Sequence, residues 1–125
     1  MPLQTLDYRK GIRKSTPVAS VTVAATAVTV HTLSAGRTVE IKKIIVDNRN
    51  VAPGFLSIGT GLGVAFVAAM PPFLILNGTD IEFTEDMIPD VEFTANITVQ
   101  MSVASVAAND TLVQFEVSEI MGPTG

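Results

Sequence analysis

Apolar and polar side chains alternate strictly along the later part of the chain. From Phe93 the odd positions run Phe93, Ala95, Ile97, Val99, Met101 and Val103, and the even ones Thr94, Asn96, Thr98, Gln100 and Ser102. A period of two sends the two sets to opposite faces of an extended backbone, whereas a helix would scatter both around its axis. The spacing predicts a long half-buried strand. Val113, Phe115 and Val117 alternate with Gln114, Glu116 and Ser118 in the same way. Ala107, Ala108, Asn109 and Asp110 precede that run and supply turn chemistry, so the two runs are expected to pair as an antiparallel hairpin.

Upstream, Val21 and Val23 flank Thr22, and Val28 and Val30 alternate with Thr29 and His31, with a turn or bulge at residues 24–27. After a turn at Ser34-Ala35-Gly36, Val39 and Ile41 alternate with Glu40 and Lys42. Lys43 then falls where an apolar residue is due, and the pattern resumes one step late at Ile44 and Val46. A slip of parity inside one run is what a β-bulge produces. Residues 55–59 and the apolar residues 72–76 read as short strands, the second closed by the tight-turn pair Asn77-Gly78. Ile81 and Phe83 alternate with Glu82 and Thr84. Turns recur about every 8 to 12 residues and no long helical period appears, the signature of a sandwich or barrel. The expected fold is all-β, a jelly-roll-like antiparallel β-sandwich of about eight strands. Residues 17–122 form that domain, residues 1–16 an extended basic N-terminal arm and residues 123–125 a tail.

Composition sharpens this picture in two places. Charged residues are 16% of the 125, against roughly 25% in an ordinary domain, so part of the surface is expected to lie against neighbouring subunits. Charge is also uneven: residues 1–14 carry a net +3 and the remainder −7. A basic arm on an acidic body is suited to docking on a negative partner. Tyr8, Arg9, Lys10, Arg13 and Lys14 are its candidate contact residues. One tyrosine among them is a poor base-stacking platform, so direct nucleic-acid binding is not expected. Cysteine is absent, which removes disulfides and thiolate metal sites. No apolar leader opens the chain, and its most apolar stretch is too short to span a bilayer. A soluble protein made in the cytoplasm and used without a membrane is expected.

The chemistry-bearing residues are few. His31 is the sole histidine and reads as an ordinary strand residue on a polar phase. No Gly-x-Ser-x-Gly elbow or triad pattern accompanies it. Asp80, Glu82, Glu85, Asp86, Asp90 and Glu92 could in principle gather around Ca²⁺, but their spacing fits no EF-hand, and a solvated or docking edge is the expectation. Gly59-Thr60-Gly61-Leu62-Gly63 lacks the final spacing, the lysine and the helix of a phosphate loop. No cofactor, metal or enzymatic activity is expected. Residues 64–70 are apolar on both phases, which suits either the interior or a subunit contact. Val64, Phe66, Val67 and Met70 are the candidate contact residues.

The run from Ser20 to Asn48, a Thr/Val/Ala-rich strand leading through Thr32-Leu33-Ser34-Ala35-Gly36-Arg37-Thr38 into a strand that ends Val46-Asp47-Asn48, resembles small structural proteins of tailed bacteriophages. Phe73-Leu74-Ile75-Leu76-Asn77-Gly78 followed by Ile81-Glu82-Phe83 is similar in style. The resemblance implies a virion structural protein, a head decoration or cement protein. Such proteins often trimerise, and bind the outer capsid surface across joints between major capsid subunits. Major capsid protein and further copies of this chain are then the implied partners, and the capsid surface is the implied location. The alternative is a carbohydrate- or receptor-binding β-sandwich of a phage tail or fibre, for which a chain with no tryptophan is poorly equipped. A cupin-type enzyme would need a histidine cluster that one histidine cannot supply.

Overall fold

The computed structural model describes residues 12–22, 24, 26–104 and 110–121. Tyr8, Arg9, Lys10, the predicted turn at Ala107 to Asp110 (all but Asp110) and the tail at 123–125 lie outside them. Among the described residues eleven strands follow in order: β1 Ile12–Ser15, β2 Ala19–Val21, β3 Val28–His31, β4 Arg37–Asn48, β5 Gly54–Thr60, β6 Val67–Ala68, β7 Phe73–Ile75, β8 Thr79–Phe83, β9 Glu92–Phe93, β10 Ile97–Met101 and β11 Thr111–Met121. Single 3-10 turns occupy Gly63–Ala65 and Glu85–Met87.

Two antiparallel sheets face each other. In the first, β11 lies between β4 and the β1 and β2 edge, and β8 and β9 pair with the far side of β4. In the second, the order is β3, β10, β5, with β6 and β7 both lying along the outer side of β5. Setting aside the edge pairings of β1, β6 and β9 leaves eight strands, ordered β2-β11-β4-β8 and β3-β10-β5-β7. That order is a jelly roll, as the strand spacing predicts.

The core is the set of inward phases. Val113, Phe115 and Val117 of β11 face Leu56 and Ile58 of β5 and Ile97, Val99 and Met101 of β10 across a dry interior in which all eight are essentially unexposed. Strand β4 contributes Val39 and Ile41, then Ile44 and Val46. The switch of parity is a bulge: Glu116 pairs with Lys43 but Val117 pairs with Ile41, which leaves Lys42 as the extra residue. Both predicted turns with glycine occur, Gly36 at φ 76° and Gly78 at φ 63°, backbone that a Cβ disfavours.

Three expectations are corrected. The run from Phe93 to Val103 is not one strand. Phe93 pairs with Val39 in the first sheet, Thr94 to Asn96 cross over exposed, and β10 starts at Ile97 in the second sheet. Nor do β10 and β11 form a hairpin, since β10 pairs with β3 and β5 while β11 pairs with β1, β2 and β4. Alternation states that one face is buried, and a jelly roll satisfies it by sending consecutive strands to opposite sheets. The expected arm at residues 1–16 does not extend through its last residues as an arm, and residues 1–11 lie outside the described residues. Ile12–Ser15 has no alternating pattern of its own but pairs with Glu116 to Glu119 of β11.

The glycine run has a packing role. A Cβ on Gly59 would run into the backbone carbonyl of Val67, and one on Gly61, at φ 84°, into that of Ala65. These glycines let the segment that follows fold back onto β5, where the Ala69 N–H donates to the Ile58 carbonyl at 2.8 Å. Gly59→Ala is expected to cost about 2 kcal/mol through this overpacking. Hydrogen exchange at Ala69 would accelerate while β11 stays protected; unchanged exchange there would show that β6 has room to spare.

Candidate functional site

The sheets are tied together at both ends by buried polar clusters. At one end stands Asn48, wholly buried at the close of β4. Its Nδ2 donates to the Leu76 carbonyl at 3.0 Å, and its Oδ1 accepts from the Thr111 hydroxyl at 2.7 Å and from the Asn50 N–H at 3.3 Å. Asn50, 2% exposed, donates in turn to the Ala104 carbonyl at 3.0 Å and accepts from Gly78 N–H through its own carbonyl. The two asparagines therefore fix the β7–β8 turn and the start of β11 against the end of β4.

At the other end lies Glu119. On β11 it follows Val113, Phe115 and Val117 on the inward phase, and its side chain is 1% exposed. The His31 ring Nε2 lies 2.7 Å from its Oε2, and Arg37 Nη1 and Lys14 Nζ lie 3.2 and 3.4 Å from its Oε1. Burial pushes the carboxyl up, but the hydrogen bonds from His31 and Arg37 and the charge of Lys14 outweigh it and hold it below the usual carboxylate range. The ionised carboxylate only accepts, so the ring nitrogen facing it carries a proton.

His31 is thus not an exposed residue on a polar phase. Ile97 pairs with His31 but Thr98 pairs with Thr29, so Val30 is the extra residue of a bulge, and Val30 and His31 are both buried. That slip turns the imidazole inward. Its position reads as a strut joining β3 of one sheet to β11 of the other. The β-strand periodicity of Glu119 was readable; the bulge in β3 carries no signal in its own sequence.

The outer face of the first sheet carries an alternating charge ladder across four strands. Arg13 of β1 pairs with Glu116 of β11 at 3.1 Å, Glu116 with Lys43 of β4 at 3.5 Å, and Lys43 with Glu82 of β8 at 3.7 Å. Lys42, the bulge residue, bonds Glu40 at 2.9 Å and Glu85 at 3.2 Å, contacts that raise its pKa above the ordinary lysine value, Glu40 foremost. Glu82 and Glu85 of the acidic stretch are therefore engaged with lysines. No cluster of three or more potential metal ligands gathers among the described residues. Asp80 stands opposite Asp47 on the β4–β8 ladder. The shared hydrogen bond and the repulsion of Asp47 push the Asp80 carboxyl up.

The predicted contact residues separate. Arg13 and Lys14 serve ion pairs within the fold, because β11 presents carboxylates to both. Met70, 7% exposed, has its side chain in the core and is not available to a neighbour; Pro71 and Pro72 after it turn the chain into β7. Phe66 is half-buried. Val64 and Val67 are fully outside, at 109% and 66% exposure. They belong to a wider set that the sequence reading missed: Phe55 and its cross-strand partner Leu74, Leu76 and Leu62 are each about half exposed. These side chains follow β5, β6, β7 and the adjoining loop along one edge of the second sheet. A cleft of about 540 Å³ opens at the end of the sandwich beyond Leu62, between Arg37, Leu33, Asn96 and Thr98.

The fold and these clusters define an all-β jelly roll whose two sheets are joined by buried polar side chains at both ends. No family model matches the chain, and no curated protein matches it. Among solved structures it is similar to one from work on Bacillus endospore appendages, described as a novel family of disulfide-linked pili. That likeness has a TM-score of 0.51 at 14% identity and covers 89% of this chain and 88% of the other. At that identity it shows the fold.

Proposed function

We propose that this protein is a non-enzymatic structural subunit that works by contact with other protein, including copies of itself. The supporting observation is the apolar edge of the second sheet. Phe55, Val64, Val67, Leu74 and Leu76 stand in water in the single chain, and each half-exposed side chain covered by a neighbour would contribute roughly 1 kcal/mol.

The finer reading is a decoration protein on the outer surface of a phage capsid, clamping adjacent major capsid subunits. It rests on the residue pattern of 20–48 and 73–83, the low charge content and the basic N-terminal segment. A ligand that binds only the assembled lattice stabilises it by mass action, and modest contacts repeated between copies add through effective concentration. A second reading, favoured by the structural neighbour, is a filament subunit. The neighbour's pili are disulfide-linked; this sequence has no cysteine, so a filament of this chain would be held without disulfides.

Sedimentation and negative-stain microscopy of the purified protein, alone and mixed with expanded phage capsids, test the proposal. Regular oligomers, filaments or bound density are expected, and a Leu74→Asp, Val67→Asp double variant is expected to weaken association at least tenfold with melting unchanged. Removing residues 1–11, which spares β1, is expected to leave melting unchanged and weaken capsid occupancy. A strict monomer at high concentration that ignores capsids would overturn the proposal.

A further inference from the structure

We propose that β1 is an acid-releasable strand: Glu116 and Glu119 of β11 grip it while they are charged, and when both are protonated it peels from the sheet as far as Thr16.

The strand is held differently from its neighbours. Arg13, Lys14 and Ser15 are all exposed, whereas β2 buries Val21 and β3 buries Val30. Beyond its short ladder with β11, its described side chains reach the body through two ion pairs, Arg13 to Glu116 and Lys14 to Glu119. Thr16 marks where the attachment becomes firm. It is 3% exposed, its N–H donates to the Phe115 carbonyl at 2.8 Å, its hydroxyl accepts from Phe115 N–H at 3.0 Å, and its carbonyl accepts from Gln114 Nε2 at 2.9 Å. None of the described side chains of β1 is apolar and buried, and segments with few buried apolar contacts are the ones that open locally before the whole domain does.

The groups around the two carboxylates set the direction. Lys14 faces Glu119 from β1, His31 from β3 and Arg37 from β4. Arg13 faces Glu116 from β1 and Lys43 from β4, the latter shared with Glu82 of β8. Every direct partner is a base, so neutralising the acids leaves Lys14 and Arg37 crowded around a buried, uncharged carboxyl. Lys14, 47% exposed, can leave for water without breaking the core; Arg37 and His31 sit on strands that cannot. Both carboxyls lie below their ordinary range, Glu116 chiefly through its bond to Arg13 and Glu119 through His31, Arg37 and Lys14 against burial. Release of β1 forfeits only the part of that lowering that Arg13 and Lys14 supply; this grip is complete while both carboxyls are ionised and is lost as pH falls through their strand-bound values, which lie below the ordinary one of about 4.3. Release therefore belongs below roughly pH 4. It uncovers the edge of β11 from Glu116 to Glu119, an open ladder on which another strand can pair.

Hydrogen exchange across a pH series, corrected for the intrinsic pH dependence of exchange, reads this directly. Protection in residues 12–15 is expected to fall at least tenfold between pH 7 and pH 3.5 while residues 97–101 keep theirs. A Glu116→Gln, Glu119→Gln variant is expected to show the open strand already at pH 7 and no further change on acidification. Should that variant not fold, Arg13→Ala with Lys14→Ala removes the same two grips from the exposed side and is expected to open residues 12–15 at pH 7 over an intact body. Protection of residues 12–15 that persists until residues 97–101 open, or that survives loss of Arg13 and Lys14 at pH 7, overturns the proposal. None of these readouts depends on assembly.

Discussion

Phe115→Ala is expected to lower the stability of the fold by about 4 kcal/mol. The ring is fully buried and is the largest side chain in the interior with no exposure. It sits at the middle of β11, between Val113 and Val117 and opposite Ile44. Strand β11 is the centre of its sheet, with β4 on one side and β1 and β2 on the other. The sheets here have little freedom to close on a void, because β10 and β5 opposite carry their own rows of buried branched side chains. The cavity term therefore adds to the lost transfer energy. A domain of this size is stable by only about 5–15 kcal/mol, so the denaturation midpoint should drop sharply with the denaturant slope unchanged. A loss under about 1 kcal/mol would mean that the two sheets do not meet at Phe115.

Asn48→Ala is expected to cost about 3 kcal/mol. The change deletes three hydrogen bonds at a wholly buried site. It leaves the Thr111 hydroxyl and the Asn50 N–H to find other partners, while the Leu76 carbonyl keeps only its bond from the Thr79 hydroxyl at 2.6 Å. Unmet buried polar groups cost more than the bonds they formed contribute. Asn48→Asp separates the two roles of the side chain. It keeps the acceptor for Thr111 and loses the donor to Leu76, so exchange should quicken around residues 76–79 more than at the start of β11. Equal effects at both places would argue against the arrangement described.

Alternation made the inward faces of β4, β10 and β11 legible, including the bulge at Lys42, because one-sided burial is written directly into a period of two. It does not say which sheet a strand joins. Phe93 and Ile97 share a phase in the sequence yet lie in different sheets, and β10 and β11 each satisfy their pattern without touching as a hairpin. The turns at Gly36 and Gly78 were readable for a steric reason, their positive φ. The polar clusters were not. Asn48 and Asn50 look like strand-ending turn residues, and only the return of β7, β8 and β11 to the same corner buries them. Glu119 continues the inward phase of β11, but the partners that make burial tolerable come from residues 14, 31 and 37, which nothing local brings together. Lys14 in particular belonged to a stretch without periodicity, since β1 is held by its neighbour and by charge.

The ladder Arg13–Glu116–Lys43–Glu82 has a kinetic corollary. Its signs alternate over spacings of 3.1 to 3.7 Å, well inside the screening length of about 10 Å at 0.1 M salt, so its field largely cancels a short way out into solvent. A partner approaching that face from a distance would feel little long-range guidance. Encounters through it should be slow and nearly indifferent to ionic strength, and any salt-dependent acceleration of docking must originate elsewhere on the molecule.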